Sequence, residues 1–400
     1  MSIDMEAEGP RILRAISKAL KIAPHGLCVC GSGRVYRDCC LIKDGKQVSF
    51  TRRAFDDITR YADALGSPIG AIPLGLYNRF ARASLRRLRC LYPNCKERPV
   101  MCHLIPEGVL RAAFGPNCGH FQLRDGTHTE ALEKVGVRRA GVMPTFCGRH
   151  DNQIFAPVDN PRAAFQTEQE MFLISLRSLA FALRRAQTLL GIDHQVSLFQ
   201  PWLITRSGTT GSKSHHNIDI SFLKESYTRF RLTYNGFSEA ATALLRNDWR
   251  SFCHWQRSVP YRGHLFFSDL VNPSHDLYGK RVDMRTSPYL VCNVWTLGER
   301  LNVVFSWRSG TGDEAYGPLL EQLRGVESPE LLLVMNAVLT MAAGKPFLPV
   351  NFRCSEDDLE KIRRARQRSK EGLQVVADNT YDFWDSSIRV EFLKHLLLVE

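Results

Sequence analysis

The chain has 400 residues, 44% of them hydrophobic and 24% charged, with a formal net charge of +12 at pH 7. That apolar content can bury about two or three ordinary cores, while the longest apolar run, over residues 331–343, is too short to span a bilayer and is broken by Asn336 and Thr340. The acidic, polar residues 1–9 lack a basic n-region and an apolar h-region, so no secretory signal is expected, and a cytoplasmic protein without a disulfide framework is expected.

In chain order, the first predicted element is a tight turn around Gly31-Ser32-Gly33, flanked by cysteine pairs. A helix is predicted over 51–65, closed by Gly66, and a second over 74–89. The second carries Arg79, Arg82, Arg86, Arg87 and Arg89 around an apolar stripe of Leu76, Phe80 and Leu88. Residues 90–160 are rich in Cys, His and Pro and predict short elements, including a helical stretch at 107–114. A long amphipathic helix over 168–190 is expected to stop at Gly191. Residues 207–214 read as a loop; Gly211-Ser212-Lys213-Ser214 lacks the adjacent Gly-Lys of a phosphate loop. Over 289–307 the pattern changes to β-branched and aromatic residues about Gly298, a hairpin signal. Helices resume from about residue 315.

The expected class is therefore α+β, multidomain and mainly helical. The expected organisation is a zinc knuckle region over 1–45, a basic helical connector over 46–88 and a second zinc module over 89–160. A long helix over 161–205 follows, then an α+β domain of unplaced role over 206–400 with a β-hairpin or small antiparallel sheet.

Nine of the twelve cysteines precede residue 148, and they fall in metal-ligand spacings. Cys28-x-Cys30 and Cys39-Cys40 flank the Gly-Ser-Gly turn, whose glycines allow positive φ and bring the thiolate pairs together around Zn²⁺. With Tyr36 between them, this stretch resembles the SEC-C motif, a small zinc knuckle known from the C-terminus of the preprotein translocase motor ATPase. The resemblance implies a structural zinc on Cys28, Cys30, Cys39 and Cys40, and docking to a protein or ribosome-like partner.

A second set comprises Cys90-x4-Cys95, then Cys102-His103-Leu104-Ile105-Pro106, then Cys147-x2-His150-Asp151. The order of a knuckle, a His before Ile-Pro and a closing pair at a helix start resembles the HNH endonucleases, which are treble-clef, ββα-metal proteins. The resemblance implies structural zinc on Cys90, Cys95, Cys147 and His150. It also implies His103 as general base, Asp151 on a catalytic Mg²⁺ or Mn²⁺, and Asn117 as the nearest counterpart of the middle Asn. An imidazole near neutral pKa is a suitable base, and a carboxylate suits a hard divalent cation. Cys102 with Cys118-x-His120 forms an alternative ligand set, and His103 has an alternative role as a hydrogen-bonded core residue.

The excess of positive charge favours a polyanionic partner, with nucleic acid first and DNA before RNA. The arginines at 79–89 are placed on its phosphate backbone. Two functions follow as expectations. One is a metal-dependent nuclease, of a kind with uncharacterised bacterial proteins associated with phage defence. The other is a non-catalytic zinc scaffold that recruits a protein or a nucleic acid. No membrane association is expected.

Overall fold

A reciprocal pair of hydrogen bonds starts the longest helix. Glu170 N donates to Thr167 Oγ1 (3.1 Å), and Thr167 N donates to Glu170 Oε2 (3.2 Å). This Thr-x-x-Glu capping box satisfies two of the donors that a helix start leaves open. In a computed structural model of the chain, the described residues are 18–41, 88–122, 131–159, 165–206, 221–276 and 289–326, with gaps of one or two residues. Val282, Leu331, Met335, Phe347, Leu348, Thr380 and Tyr381 complete them. The expected helices over 51–65 and most of 74–89 lie outside the described residues.

The helices are α1 (Glu107–Phe114), α2 (Gly148–Phe155), α3 (Glu168–Arg206), α4 (Ser221–Arg246) and α5 (Thr311–Gly325). The helix beginning at Glu168 does not stop at Gly191 but runs on to Arg206. Gly191 costs about 1 kcal/mol in a helix relative to Ala. Burial of Gly191, Ile192 and His194 on the same helix outweighs that local preference.

The chain divides into two units, 1–88 with 183–235, and 89–182 with 236–400. In the first unit, Cys28 and Tyr36 are buried in a small cluster with Cys39, against which Ile22 packs. Tyr227 Oη on α4 donates to the Leu27 carbonyl (2.7 Å), tying the knuckle to a helix of its own unit.

The second unit holds β1 (Met101–His103), β2 (Asn117–Gln122), β3 (Ala131–Gly136), β4 (Val142–Pro144) and β5 (Phe252–Pro260). It continues with β6 (Phe266–Pro273), β7 (Leu290–Leu297), β8 (Arg300–Arg308), β9 (Phe347–Leu348) and β10 (Thr380–Tyr381). β1 and β4 form a two-stranded antiparallel sheet. The other eight form one sheet in the order β3-β2-β9-β6-β7-β8-β5, with β10 parallel to β6. The expected hairpin is β7–β8, turning at Gly298 with φ +60°. It sits inside a sheet larger than the sequence suggested, one that recruits β2 and β3 from the Cys/His-rich region.

β7 and β8 are buried along almost their whole length, in keeping with apolar residues on both of their faces. The N-terminal half of α3 packs on this sheet, with Phe172 edge-on to Phe252 and Ser178 Oγ 2.7 Å from Ser268 Oγ. α5 is anchored by Trp307 Nε1, which donates to Asp313 Oδ1 (2.6 Å). Among the described residues no helix is long and apolar enough to cross a membrane.

Candidate metal centres

Cys90 and Cys95 bracket a turn that the backbone closes by itself. Cys95 N donates to Tyr92 O (3.1 Å), Tyr92 N donates to Cys90 Sγ (3.4 Å), and Asn94 takes φ +61°. Asn is among the residues that tolerate this left-handed conformation best. Leu91 N then donates to Thr145 O (3.0 Å) and Val100 N to Phe146 O (2.8 Å), stitching the turn to the segment that enters α2. Cys147 is the N-cap of α2, and His150 lies three residues on, so both face the same side of its first turn.

The result is a group of four donors, Cys90, Cys95, Cys147 and His150, all within 4.8 Å of one another. The Cys90 Sγ to His150 Nδ1 distance is 3.5 Å, Cys147 Sγ to His150 Nδ1 is 3.2 Å, and Cys95 Sγ to Cys147 Sγ is 4.0 Å. Zn–S and Zn–N bonds of about 2.3 and 2.0 Å give tetrahedral edges of about 3.5–3.8 Å, so the donor spacing fits zinc. The His150 ring stacks on Tyr92, with centroids 3.9 Å apart and planes at 14°, which fixes Nδ1 toward the thiols. Cys147 N also donates to Cys90 Sγ (3.2 Å), a hydrogen bond that a thiolate accepts well.

Burial pushes the Cys90 thiol up to about 12 and raises Cys147, and it lowers His150 with help from Arg149. Each shift favours the neutral form. A divalent cation reverses that preference for the thiols, because it supplies the charge that makes buried thiolates stable.

The other residues singled out from sequence fall around this centre. His103 ends β1 opposite Val142, and its Nε2–H donates to Val137 O at 3.2 Å, leaving Nδ1 outside that bond. Val137 N in turn donates to Pro116 O (3.0 Å), next to Asn117 at the start of β2, so backbone bonds link the neighbourhoods of His103 and Asn117. Asp151 lies on α2 within electrostatic reach of His103, as does Glu107 on α1. Burial raises the Asp151 carboxyl against the pull of Arg177, and its Oδ1 is buried without a hydrogen-bond partner.

His103 and Asp151 belong to no group of three metal donors among the described residues. Cys102 is buried and points its thiol at the Val100 and Phe146 carbonyls (3.4 and 3.6 Å). Cys118 packs with Leu110 and Val137. Neither thiol joins the donor group. The side chain of His120 lies outside the described residues, as do Arg79, Arg82, Arg86 and Arg87; Arg89 is exposed, with Nη1 donating to Lys96 O (3.2 Å).

In the first unit, Cys28, Cys30 and Cys39 form a second donor group, with Cys30 Sγ 3.5 Å from Cys39 Sγ. Leu27 pairs with Val35, and Cys28 N donates to Arg34 O (2.8 Å), folding the chain back on itself. A π-helical turn over Arg37–Leu41 carries Cys39. Cys40 lies in that turn, and its side chain is outside the described residues. Sequence reasoning missed the helical partners of this knuckle. Gly31 has φ +71°, and a Cβ there would stand 2.7 Å from the Gln187 carbonyl oxygen on α3. Gly31→Ala should therefore lower stability by about 1–3 kcal/mol through backbone strain plus that contact. Thermal unfolding of the variant at unchanged metal content checks this, and an unaltered Tm would contradict it.

Residues 27–41 match the family described as the SEC-C motif. No curated protein and no solved structure matches the chain. The protein thus carries a SEC-C motif and two groups of Cys and His residues suited to holding a metal ion.

Proposed function

We propose that the protein is a zinc-stabilised, HNH-like endonuclease acting on DNA, with the SEC-C knuckle as its docking element. The observation that carries this reading is the position of His103 relative to the four-donor group. A knuckle, an antiparallel strand pair and a helix surround Cys90, Cys95, Cys147 and His150, and His103 stands at the end of the first of those strands. This is the order of parts that the HNH resemblance leads one to expect.

The chemistry follows from the tautomer. With Nε2–H committed to the Val137 carbonyl, Nδ1 is the free acceptor and can take a proton from water. The hydroxide equivalent attacks phosphorus, the P–O3′ bond breaks, and the leaving oxygen takes a proton from solvent. A Mg²⁺ held by Asp151 and the substrate phosphate would stabilise charge on the scissile group. The net charge of +12 assists the approach of a polyanion.

One observation favours the second reading, a non-catalytic zinc scaffold. Burial raises the Asp151 carboxyl, and the 5% exposed Arg177 lies within electrostatic reach of it, an environment that competes with metal binding. Incubation of supercoiled plasmid with the purified chain and Mg²⁺ or Mn²⁺ separates the two. Nicked or linear product, absent with a chelator of the hard cation, supports the nuclease. Binding without cleavage supports the scaffold.

A further inference from the structure

The second unit contains a cavity with apolar walls that include Leu104, Ile105, Val109 and Trp295, and it encloses about 60 Å³. Two polar side chains line it, Arg177 from α3 and Asn293 from β7, and each is only 5% exposed. Both carry donors that nothing in the described part of the chain satisfies, Arg177 Nε and Asn293 Nδ2. Other groups of the same side chains are engaged. Arg177 Nη2 donates to Asp159 Oδ1 (2.5 Å), and its Cζ lies 4.2 Å from the centroid of the Phe155 ring. Asn293 Oδ1 accepts from Ser178 Oγ (2.9 Å), which is also 2.7 Å from Ser268 Oγ.

Buried donors without acceptors are rare in folded proteins, and each calls for an occupant. From its polar side chains this cavity offers donors and no free acceptor, so the occupant must bring acceptors. One donor belongs to a guanidinium, which prefers a carboxylate to a neutral oxygen. The walls require an apolar body behind that head. The volume of about 60 Å³ limits the buried part to a carboxylate with a short carbon chain.

We infer that this cavity is a binding site for a small aliphatic monocarboxylate, with Arg177 and Asn293 as its head-group donors. The site is separate from the four-donor metal group and does not depend on nuclease activity.

Titration of the full-length chain with sodium butyrate, followed by calorimetry and by thermal unfolding, tests the inference. Saturable binding is expected, with a rise in Tm that sodium chloride at equal ionic strength does not give. Butyramide, of the same shape without the charge, should bind at least about tenfold more weakly. Asn293→Leu should weaken butyrate at least about tenfold and still fold, because Ser178 Oγ retains the Ile174 carbonyl at 2.8 Å as an acceptor. Ile105→Trp, which fills the cavity, should abolish binding while leaving the zinc content unchanged. Absence of saturation, equal affinity for butyramide, or full affinity in both folded variants would overturn the proposal. So would a crystal structure grown with butyrate that shows only water at the two donors.

Discussion

Replacing Cys147 by Ser should release the metal of the second centre and open the segment from Arg89 to about Asp159. Cys147 contributes more than its single ligand atom. Its Sγ lies 3.2 Å from His150 Nδ1 and 4.0 Å from Cys95 Sγ, its backbone N–H donates to Cys90 Sγ, and it caps α2. The elements it joins are short: β1 and β4 have three residues each and α2 has eight. Structural zinc contributes on the order of 10 kcal/mol to small units of this kind, and removing one of four ligands forfeits much of it. Phe146 and Phe155, which pack edge to face at 5.4 Å, would not hold the segment alone. Hydrogen exchange and limited proteolysis across residues 89–159 would read the change. Protection equal to that of the unaltered chain would show that the fold does not lean on a metal there.

His103→Ala should abolish DNA cleavage, lowering the rate by about 10²–10⁴-fold, the usual contribution of a general base. Among the described residues the ring is hydrogen-bonded to Val137 O, and it is not among the four metal donors, so zinc content and fold should survive. His103→Gln separates the roles further, since its amide nitrogen takes the place of Nε2 and retains a donor for the Val137 carbonyl, with no basic nitrogen. If His103 serves only as a core hydrogen-bond donor, Gln should restore what Ala loses. If it serves as the base, both variants should be equally inactive. Cleavage at the unaltered rate in His103→Ala would remove the nuclease assignment from this site.

The metal-ligand groups were legible in the sequence because their geometry is local. Cys28-x-Cys30 about a glycine turn and Cys147-x2-His150 on one helical face need only spacing to be read. The helix at Glu107–Phe114, the Glu168 start and the Gly298 hairpin were legible for the same reason, since caps and turns act over a few residues. What escaped depends on distant partners. The place of β5 is set by its pairing with β8 in the register Phe252↔Arg308 to Pro260↔Arg300, and Gln256 and Arg257 obscure the strand in the sequence. Gly191 reads as a helix stop until the burial around it is known. The electrostatic setting of Asp151 and the paired donors of the cavity both involve Arg177, which arrives from a helix that begins beyond the Cys/His region.

The measurement that bears most directly on this account is elemental analysis of the purified full-length chain, alone and as the Cys28→Ser/Cys30→Ser variant. Two donor groups predict two zinc ions per chain, and one in the variant, which retains Cys90, Cys95, Cys147 and His150. A chain that holds no zinc, or a count that the double substitution leaves unchanged, would contradict the two-centre description.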